Sequence, residues 1–146
     1  MDIIHRDVKP ENILIHDGVI KLGDFGFCRK LDPGATTRTR VGSPIYMAPE
    51  ILFDKPYDGR CDIYSLGVLL YELLYGRAPY ESNSLPDLKM QINRGQYNFP
   101  HFVNRISKST EMLIRKLLQP NPKKRMTWSE LFAYNIGYPI RNYNTD

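Results

Sequence analysis

Apolar residues cover nearly every face of the segment 62–75, which contains Ile63, Leu66, Val68, Leu69, Leu70, Leu73 and Leu74. A helix that is apolar all round is a buried helix, so this segment predicts a central helix around which a domain packs. Gly76 is the residue type that ends a helix at its C-terminus, and it follows directly.

Two further segments, 84–94 and 107–118, have the amphipathic spacing of helices with one buried face. The second segment is followed by Pro120, which favours a helix end before it. Thr127 begins a final helix, because Glu130 three residues later completes a capping box.

β-Branched residues in the short runs 13–15 and 19–22 flank an Asp17-Gly18 turn signal and predict a β-hairpin. Residues 23–50 contain seven glycines and prolines, which excludes a long helix or strand. A loop region of that length inside a folded domain usually has a function. The expected architecture is therefore mainly α, with one small hairpin and a buried central helix.

At 146 residues, with 42% hydrophobic and 25% charged residues, the chain has the composition of one folded domain. The net charge of +4 would suit nucleic acid or an acidic surface as a partner. The basic residues are interspersed with acidic ones, however, and form no run of five or six like charges. We therefore expect solvated basic side chains and no nucleic-acid partner.

Cys28 and Cys61 are too few and too far apart for a disulfide framework or a zinc site, and we expect reduced thiols. The longest apolar stretch, residues 66–74, contains Glu72 and is too short to cross a membrane. Charges stand near the N-terminus where a signal peptide needs apolar residues. The expected location is the cytoplasm, with the nucleus as the alternative, and no membrane partner is expected. The oligomeric state is left open.

Residues 5–12, His-Arg-Asp-Val-Lys-Pro-Glu-Asn, place Asp7, Lys9 and Asn12 within six residues just before the hairpin. Phosphoryl transfer needs such a set: a carboxylate to orient the hydroxyl nucleophile, a cation for the phosphate and an oxygen ligand for Mg²⁺. Asp24 begins an Asp-Phe-Gly triplet after the hairpin, so its carboxylate is expected beside the same loop as a second metal ligand.

These motifs, followed by Ala48-Pro49-Glu50, resemble the signature set of the eukaryotic serine/threonine protein kinases in both order and spacing. The resemblance covers residues 1–135 and corresponds to the C-terminal lobe of that fold, which is α+β overall; residues 136–146 are expected to be a tail. The segment 42–50, Gly-Ser-Pro-Ile-Tyr-Met-Ala-Pro-Glu, is similar to the unc-51-like, autophagy-initiating kinases, with the calcium/calmodulin-type kinases as the alternative.

The resemblance implies catalytic roles for Asp7, as the carboxylate that accepts the substrate hydroxyl proton, and for Lys9, as the lysine that reaches the γ-phosphate. Asn12 and Asp24 match the two metal-ligating positions, and Leu14 matches the residue under the adenine ring. The implied cofactors are therefore ATP and Mg²⁺, bound through Lys9, Asn12, Leu14 and Asp24.

Regulation is implied by Arg6, which in the family is a buried cation that receives a phosphate from the activation segment. Thr39 matches the primary phosphorylation position and Thr37 the second, with ordinary polar loop residues as the alternative. Protein substrates with serine or threonine acceptors are the implied partners, and an upstream activating kinase is left open as another.

Substrate contacts are implied for Ser43, whose hydroxyl bridges Asp7 and Lys9 in serine/threonine kinases. Glu11 and Glu72 match two acidic positions that bind an arginine upstream of the acceptor in basophilic kinases, with solvated glutamates as the alternative.

Five residues match structural positions of the family. His5 and Phe25 resemble a stacked pair that reports an assembled active state. Glu50 and Arg125 match a buried salt bridge, and Asp62 matches the aspartate that holds the catalytic-loop backbone.

The sequence contains no glycine-rich loop and no Val-Ala-Ile-Lys strand, which in the family cover the nucleotide. We expect Met1 to be an internal methionine of a longer protein, the isolated chain to have little activity, and apolar surface on Ile3, Ile4 and the central helix to be exposed. The alternative function is a non-catalytic interaction module that binds substrates or regulators through residues 42–50 and 84–94.

Overall fold

The computed structural model describes residues 2–100 and 106–135. Within these ranges the elements are β1 (Asp2–Ile4), β2 (Ile13–His16), β3 (Val19–Leu22), β4 (Arg29–Leu31), α1 (Pro49–Leu52), α2 (Arg60–Tyr75), α3 (Leu85–Arg94), α4 (Lys108–Leu117) and α5 (Trp128–Phe132), with short 3-10 turns at Pro10–Asn12 and Pro44–Tyr46. The expected tail, residues 136–146, lies outside the described residues. Helices account for most of the residues in regular elements of the described part, as predicted.

The central helix α2 begins at Arg60, two residues before the predicted start, and ends at Tyr75; Gly76 caps it in the left-handed conformation with φ of 72°. Its side chains at Ile63, Tyr64 and Val68 are at most 1% exposed. Leu73 near the C-terminal end is 71% exposed, so the central helix does expose apolar surface, as expected, although most of its side chains are buried. None of the helices in the described part of the chain is long and apolar enough to span a bilayer.

Helix α4 lies against α2 at Gly67, where the two backbones approach closely. A Cβ added at Gly67 would lie 2.7 Å from Leu117 Cβ, a distance that real Cβ atoms do not adopt. Ile63, Leu113, Leu117 and Met126 form a cluster of buried side chains at this contact. Only glycine, which has no side chain, leaves room for this close contact between α2 and α4.

Helices α3, α4 and α5 begin at side-chain caps that the sequence predicted in part. The hydroxyls of Ser84 and Ser107 accept hydrogen bonds from backbone amides in the first turns of α3 and α4. Thr127 and Glu130 form the predicted capping box of α5. Each cap satisfies an amide that has no partner within its helix.

The predicted hairpin is confirmed: β2 and β3 pair antiparallel, with Ile13 opposite Leu22 and His16 opposite Val19. Its apolar side chains do not enter the core, since Leu14, Ile15 and Ile20 are 57%, 75% and 71% exposed. The hairpin therefore lies on the surface, directly after residues 5–12, the predicted catalytic loop.

A second antiparallel pair, β1 with β4, was not predicted. Ile4 lies opposite Arg29 in this pair. The paired residues are far apart in the chain, so no turn sequence between neighbouring strands indicates the pairing. Ile3 is 56% exposed as expected, but the expectation for Ile4 was wrong: its side chain is 1% exposed and belongs to the main core. Because side chains alternate along a strand, the two isoleucines face opposite ways.

Candidate active site

A buried carboxylate on α2 holds the backbone of residues 5–12, the predicted catalytic loop. Asp62 accepts hydrogen bonds from the amides of His5 (2.7 Å) and Arg6 (2.9 Å). Burial raises the pKa of Asp62, while these two amide donors act in the opposite direction. Arg6 has a φ of 70°, an uncommon conformation for a residue with a side chain, and the two bonds hold it there.

Asp7 lies at the centre of a compact polar cluster. Its Oδ2 atom is 2.9 Å from Lys9 Nζ, and its Oδ1 atom accepts hydrogen bonds from the amide (3.1 Å) and hydroxyl (3.2 Å) of Ser43. Lys9 also donates to Ser43 Oγ at 3.0 Å, so the ammonium bridges the two side chains. Residues separated by more than thirty positions in the sequence thus meet at one carboxylate.

The electrostatics of the cluster favour an ionised Asp7. Burial raises the pKa of this carboxyl, but hydrogen bonds from Lys9, Asn12 and Ser43 outweigh burial and lower the pKa below its ordinary value. The hydrogen bond to Asp7 in turn raises the pKa of Lys9. The site therefore holds a carboxylate and an ammonium in contact at neutral pH.

Gly42 allows Ser43 to contact Asp7, a role that was not predicted from the sequence. A Cβ at position 42 would lie 2.3 Å from the carbonyl oxygen of Arg6, and Gly42 has a φ of 102°. Both facts require glycine, because the chain passes directly over the catalytic loop before Ser43 reaches Asp7. The sequence feature that could have indicated this role is the position of Gly42 directly before Ser43.

Asn12 and Asp24 occupy different environments. Asn12 is buried, and its Nδ2 atom donates to the Asp7 carbonyl (2.7 Å) and to Asp7 Oδ2 (3.1 Å), which leaves its own carbonyl oxygen as an acceptor. Asp24 is exposed and has a φ of 53°, and its Oδ1 atom accepts the Gly26 amide at 3.1 Å. Asp24 also stabilises the charge on Lys9, so both carboxylates act on the same ammonium. The oxygens of these two side chains are the hard ligands that Mg²⁺ prefers.

The rings of His5 and Phe25 meet edge to face with centroids 5.3 Å apart. His5 is buried, and its Nε2 atom lies 2.9 Å from the carbonyl oxygen of Gly23, whereas Phe25 is 64% exposed. This contact positions the segment that carries Asp24 against the catalytic loop. Leu14 lies exposed on the hairpin and touches the same segment, because a Cβ on Gly23 would be 3.3 Å from its Cδ1 atom.

The candidate regulatory residues separate into accessible and inaccessible positions. Arg6 is half-buried, and its Nε atom donates to the Phe27 carbonyl at 2.6 Å. Thr37 is 6% exposed, and its hydroxyl accepts a hydrogen bond from Arg29 at 2.9 Å. Thr39 is exposed. Thr39 is therefore accessible from solvent, whereas Thr37 is not.

The two acidic positions also differ. Glu11 is exposed in the 3-10 turn after Lys9. Glu72 accepts a hydrogen bond from the Tyr46 hydroxyl at 2.6 Å, and burial together with this bond raises the pKa of Tyr46. One oxygen of Glu72 thus positions the segment after Ser43, which the sequence analysis did not anticipate.

A buried ion pair joins the end of this segment to the C-terminal part of the chain. Arg125 donates to Glu50 through Nη1 (2.6 Å) and Nη2 (2.9 Å), and the two side chains are 0% and 4% exposed. The guanidinium also donates to the carbonyls of Gln119 and Arg60. Its donors are thus shared among several acceptors, as a buried charge requires.

This chain is similar to known proteins over most of its length. The protein kinase domain family matches residues 1–135. The chain is 42% identical over 136 residues to serine/threonine-protein kinase atg1 of Dictyostelium discoideum, covering 90% of this chain and 20% of that protein. It is 42% identical over 143 residues to human MAP kinase-activated protein kinase 2 (92% and 36%) and 37% identical over 142 residues to human serine/threonine-protein kinase ULK1 (90% and 14%).

The chain belongs to the protein kinase domain family. The similarity to atg1 and ULK1 agrees with the resemblance of residues 42–50 to unc-51-like kinases. The chain spans well under half the length of each of these three relatives.

Proposed function

We propose that this chain is the C-terminal lobe of a serine/threonine protein kinase, which transfers the γ-phosphate of ATP to serine or threonine hydroxyls of proteins. The observation that carries the proposal is the contact of Lys9 with both Asp7 and Ser43. The carboxylate can accept a hydrogen bond from the acceptor hydroxyl, and the adjacent cation can bind the phosphate.

Asp7 acts on the acceptor hydroxyl in this proposal. Since its pKa is lowered, Asp7 is ionised at neutral pH and accepts a hydrogen bond from the incoming hydroxyl, which aims the oxygen at the γ-phosphorus. As the new O–P bond forms and the bond to the ADP oxygen breaks, the hydroxyl proton passes to Asp7. Lys9 stabilises the charge on the transferring phosphoryl group.

Asn12 and Asp24 would hold Mg²⁺ through their side-chain oxygens. The fit rests on the free carbonyl oxygen of Asn12 and the exposed carboxylate of Asp24. In residues 2–100 and 106–135, no cluster of three or more His, Cys, Asp or Glu side chains could hold a metal ion. Two protein oxygens suit Mg²⁺, which keeps waters and takes phosphate oxygens, and the bound ion would neutralise charge on the phosphates.

A polypeptide substrate is supported by a groove next to Ser43. A cavity of about 330 Å³ lies between the segment Ser43–Ile45 and the start of α3, with Ser84, Leu85 and Leu88 on its far side. An extended peptide in this groove would place a neighbouring side chain in the cavity and its own hydroxyl near Asp7. The same groove could serve a non-catalytic interaction module, but the contacts within the Asp7 cluster favour an enzyme.

The isolated 146 residues should transfer little phosphate. They contain no glycine-rich loop and no strand lysine to position the nucleotide, and catalysis here depends on positioning. We also propose that Thr39, whose side chain is exposed, is the phosphorylation site of an upstream kinase, with Arg6 as the cation that binds the phosphate.

The acceptor class can be tested with a polypeptide in which a kinase N-terminal lobe precedes these residues. Peptides that differ only in serine, threonine or tyrosine at the acceptor position would be incubated with Mg-ATP, and phosphate incorporation measured. We expect transfer to serine and threonine and none to tyrosine. Transfer to tyrosine alone would contradict the proposed class, and the Asp7→Asn variant gives the background.

A further inference from the structure

Tyr57 lies in the loop between α1 and α2 and is 3% exposed. Its backbone forms a two-way bridge with Thr37, in which each amide donates to the other carbonyl at 2.9 Å. No motif of the sequence points to Tyr57. Its side chain nevertheless enters the space between the catalytic loop and the loop that carries Thr39.

The Tyr57 hydroxyl connects these two loops. It donates to the backbone carbonyl of Thr39 at 2.5 Å and accepts a hydrogen bond from Arg6 Nη1 at 3.4 Å. Burial raises the pKa of Tyr57, so the hydroxyl keeps its proton and remains a donor. The chain from Thr39 continues through Gly42 to Ser43, whose amide donates to Asp7 Oδ1.

The choice of acceptor atom matters for regulation. Tyr57 binds the carbonyl of Thr39 and leaves the Thr39 side chain exposed, so a modified side chain would not break the bond. The only charged partner of the hydroxyl among the described residues is the Arg6 guanidinium, which has further N–H donors for a second acceptor.

We propose that Tyr57 is a positioning residue that tethers the loop of residues 37–43 to the catalytic loop without any phosphate. Through this tether the Ser43 amide is kept on the Asp7 carboxylate. Phosphorylation at Thr39 would then further stabilise a loop, residues 37–43, that the tether already holds in position. The tether stands on contacts within this chain and does not depend on the proposed kinase activity.

Hydrogen–deuterium exchange tests the tether without nucleotide or catalysis. In the Tyr57→Phe variant, which loses only the hydroxyl, the Ser43 amide, which donates to Asp7 Oδ1, should exchange about fivefold faster, as expected for one lost hydrogen bond. Peptides from α2 and α4 should exchange as in the unsubstituted chain, and the melting temperature should change little. A merely structural role would instead lower the melting temperature and speed exchange throughout the core.

Tyr75→Phe is the matched control, since Tyr75 is also a buried tyrosine and its hydroxyl has no hydrogen-bond partner among the described residues. This variant should leave exchange of the Ser43 amide unchanged. Thr39→Val, which keeps the carbonyl, should also leave it unchanged. Unchanged exchange of the Ser43 amide in Tyr57→Phe would overturn the proposal, as would an equal increase in Tyr75→Phe.

Discussion

Asp7 and Asp24 are the two carboxylates of the site, and they are held in opposite ways. Asp7 is 4% exposed, and Lys9, Asn12 and Ser43 all contact its carboxylate. Asp24 is exposed, and within the described part of the chain its carboxylate accepts one hydrogen bond, from the amide of Gly26. The first side chain has almost no freedom to reorient, whereas the second can still adjust to a ligand.

This contrast extends to the surroundings of the two side chains. The Asp7 side is continuous with the core through Asp62 and through the Glu50–Arg125 pair. The Asp24 side adjoins the hairpin β2–β3, whose apolar side chains are largely exposed. In the proposed function, this chain preorganises the side that would face the acceptor hydroxyl, while the side that would face the nucleotide gains its order from what binds there.

The largest effect is expected from removing Glu50, which anchors the Asp7 side to the C-terminal part of the chain. Glu50→Ala leaves the Arg125 guanidinium buried without its counter-charge and should reduce the free energy of unfolding by about 3–5 kcal/mol. Urea denaturation measures this loss. The control is Arg40→Ala, which breaks the exposed pair with Asp54 and should cause no measurable change. Equal losses in the two variants would show that burial of the pair is irrelevant.

Gly42→Ala should disturb the Asp7 side while leaving the core intact. The new Cβ would collide with the Arg6 carbonyl and displace Ser43, and a misplacement of about 1 Å can reduce phosphate transfer about a hundredfold. The rate would be measured with the N-terminal lobe present. Gly34→Ala is matched, because Gly34 also has positive φ but open space around it. A similar loss in both variants would attribute the effect to backbone strain alone.

Gly67→Ala tests the packing beneath the site. Because the added methyl would overlap Leu117 on α4, unfolding should become easier by about 1–3 kcal/mol. Leu73→Ala on the same helix removes an exposed side chain and should change stability by less than about 0.5 kcal/mol. Chemical denaturation distinguishes the two, and a larger loss for Leu73→Ala would mean that α2 packs differently.

The smallest expected effect is a change in titration. Ser43→Ala removes one hydrogen bond to Asp7, so the lowered pKa of this carboxyl should rise toward its ordinary value. A lowered pKa contributes stability that is present above the unfolded value of about 3.9 and is lost as pH falls through the folded pKa; the variant should lose part of it. Carbon NMR of the carboxyl measures the shift. Ser84→Ala, a cap of α3, should leave the Asp7 pKa unchanged, and an unchanged pKa in Ser43→Ala would contradict the assignment.

The sequence predicted those parts of the fold that have local signals. The hairpin follows from Asp17-Gly18 between two β-branched runs, and the capping box from Thr127 with Glu130. Strand β4 has no such signal, since three residues of a glycine-rich region pair with a distant strand.

The site was predicted as a set of residue types, and its contacts were only partly accessible to that reasoning. Motifs identified Asp7 and Lys9. Gly42, in contrast, matters because the backbone passes close to Arg6, and Tyr57 because its hydroxyl donates to the Thr39 carbonyl. Such roles depend on how distant loops meet, and a residue's type does not reveal them.

Phosphate transfer by these residues joined to a kinase N-terminal lobe tests the central claim most directly. With Mg-ATP and a serine peptide, we predict transfer that falls about 10²–10⁴-fold in the Asp7→Asn variant, the usual range for losing a catalytic acid or base. The isolated 146 residues should give counts no higher than that variant. Equal incorporation by the joined polypeptide and its Asp7→Asn variant would contradict the account.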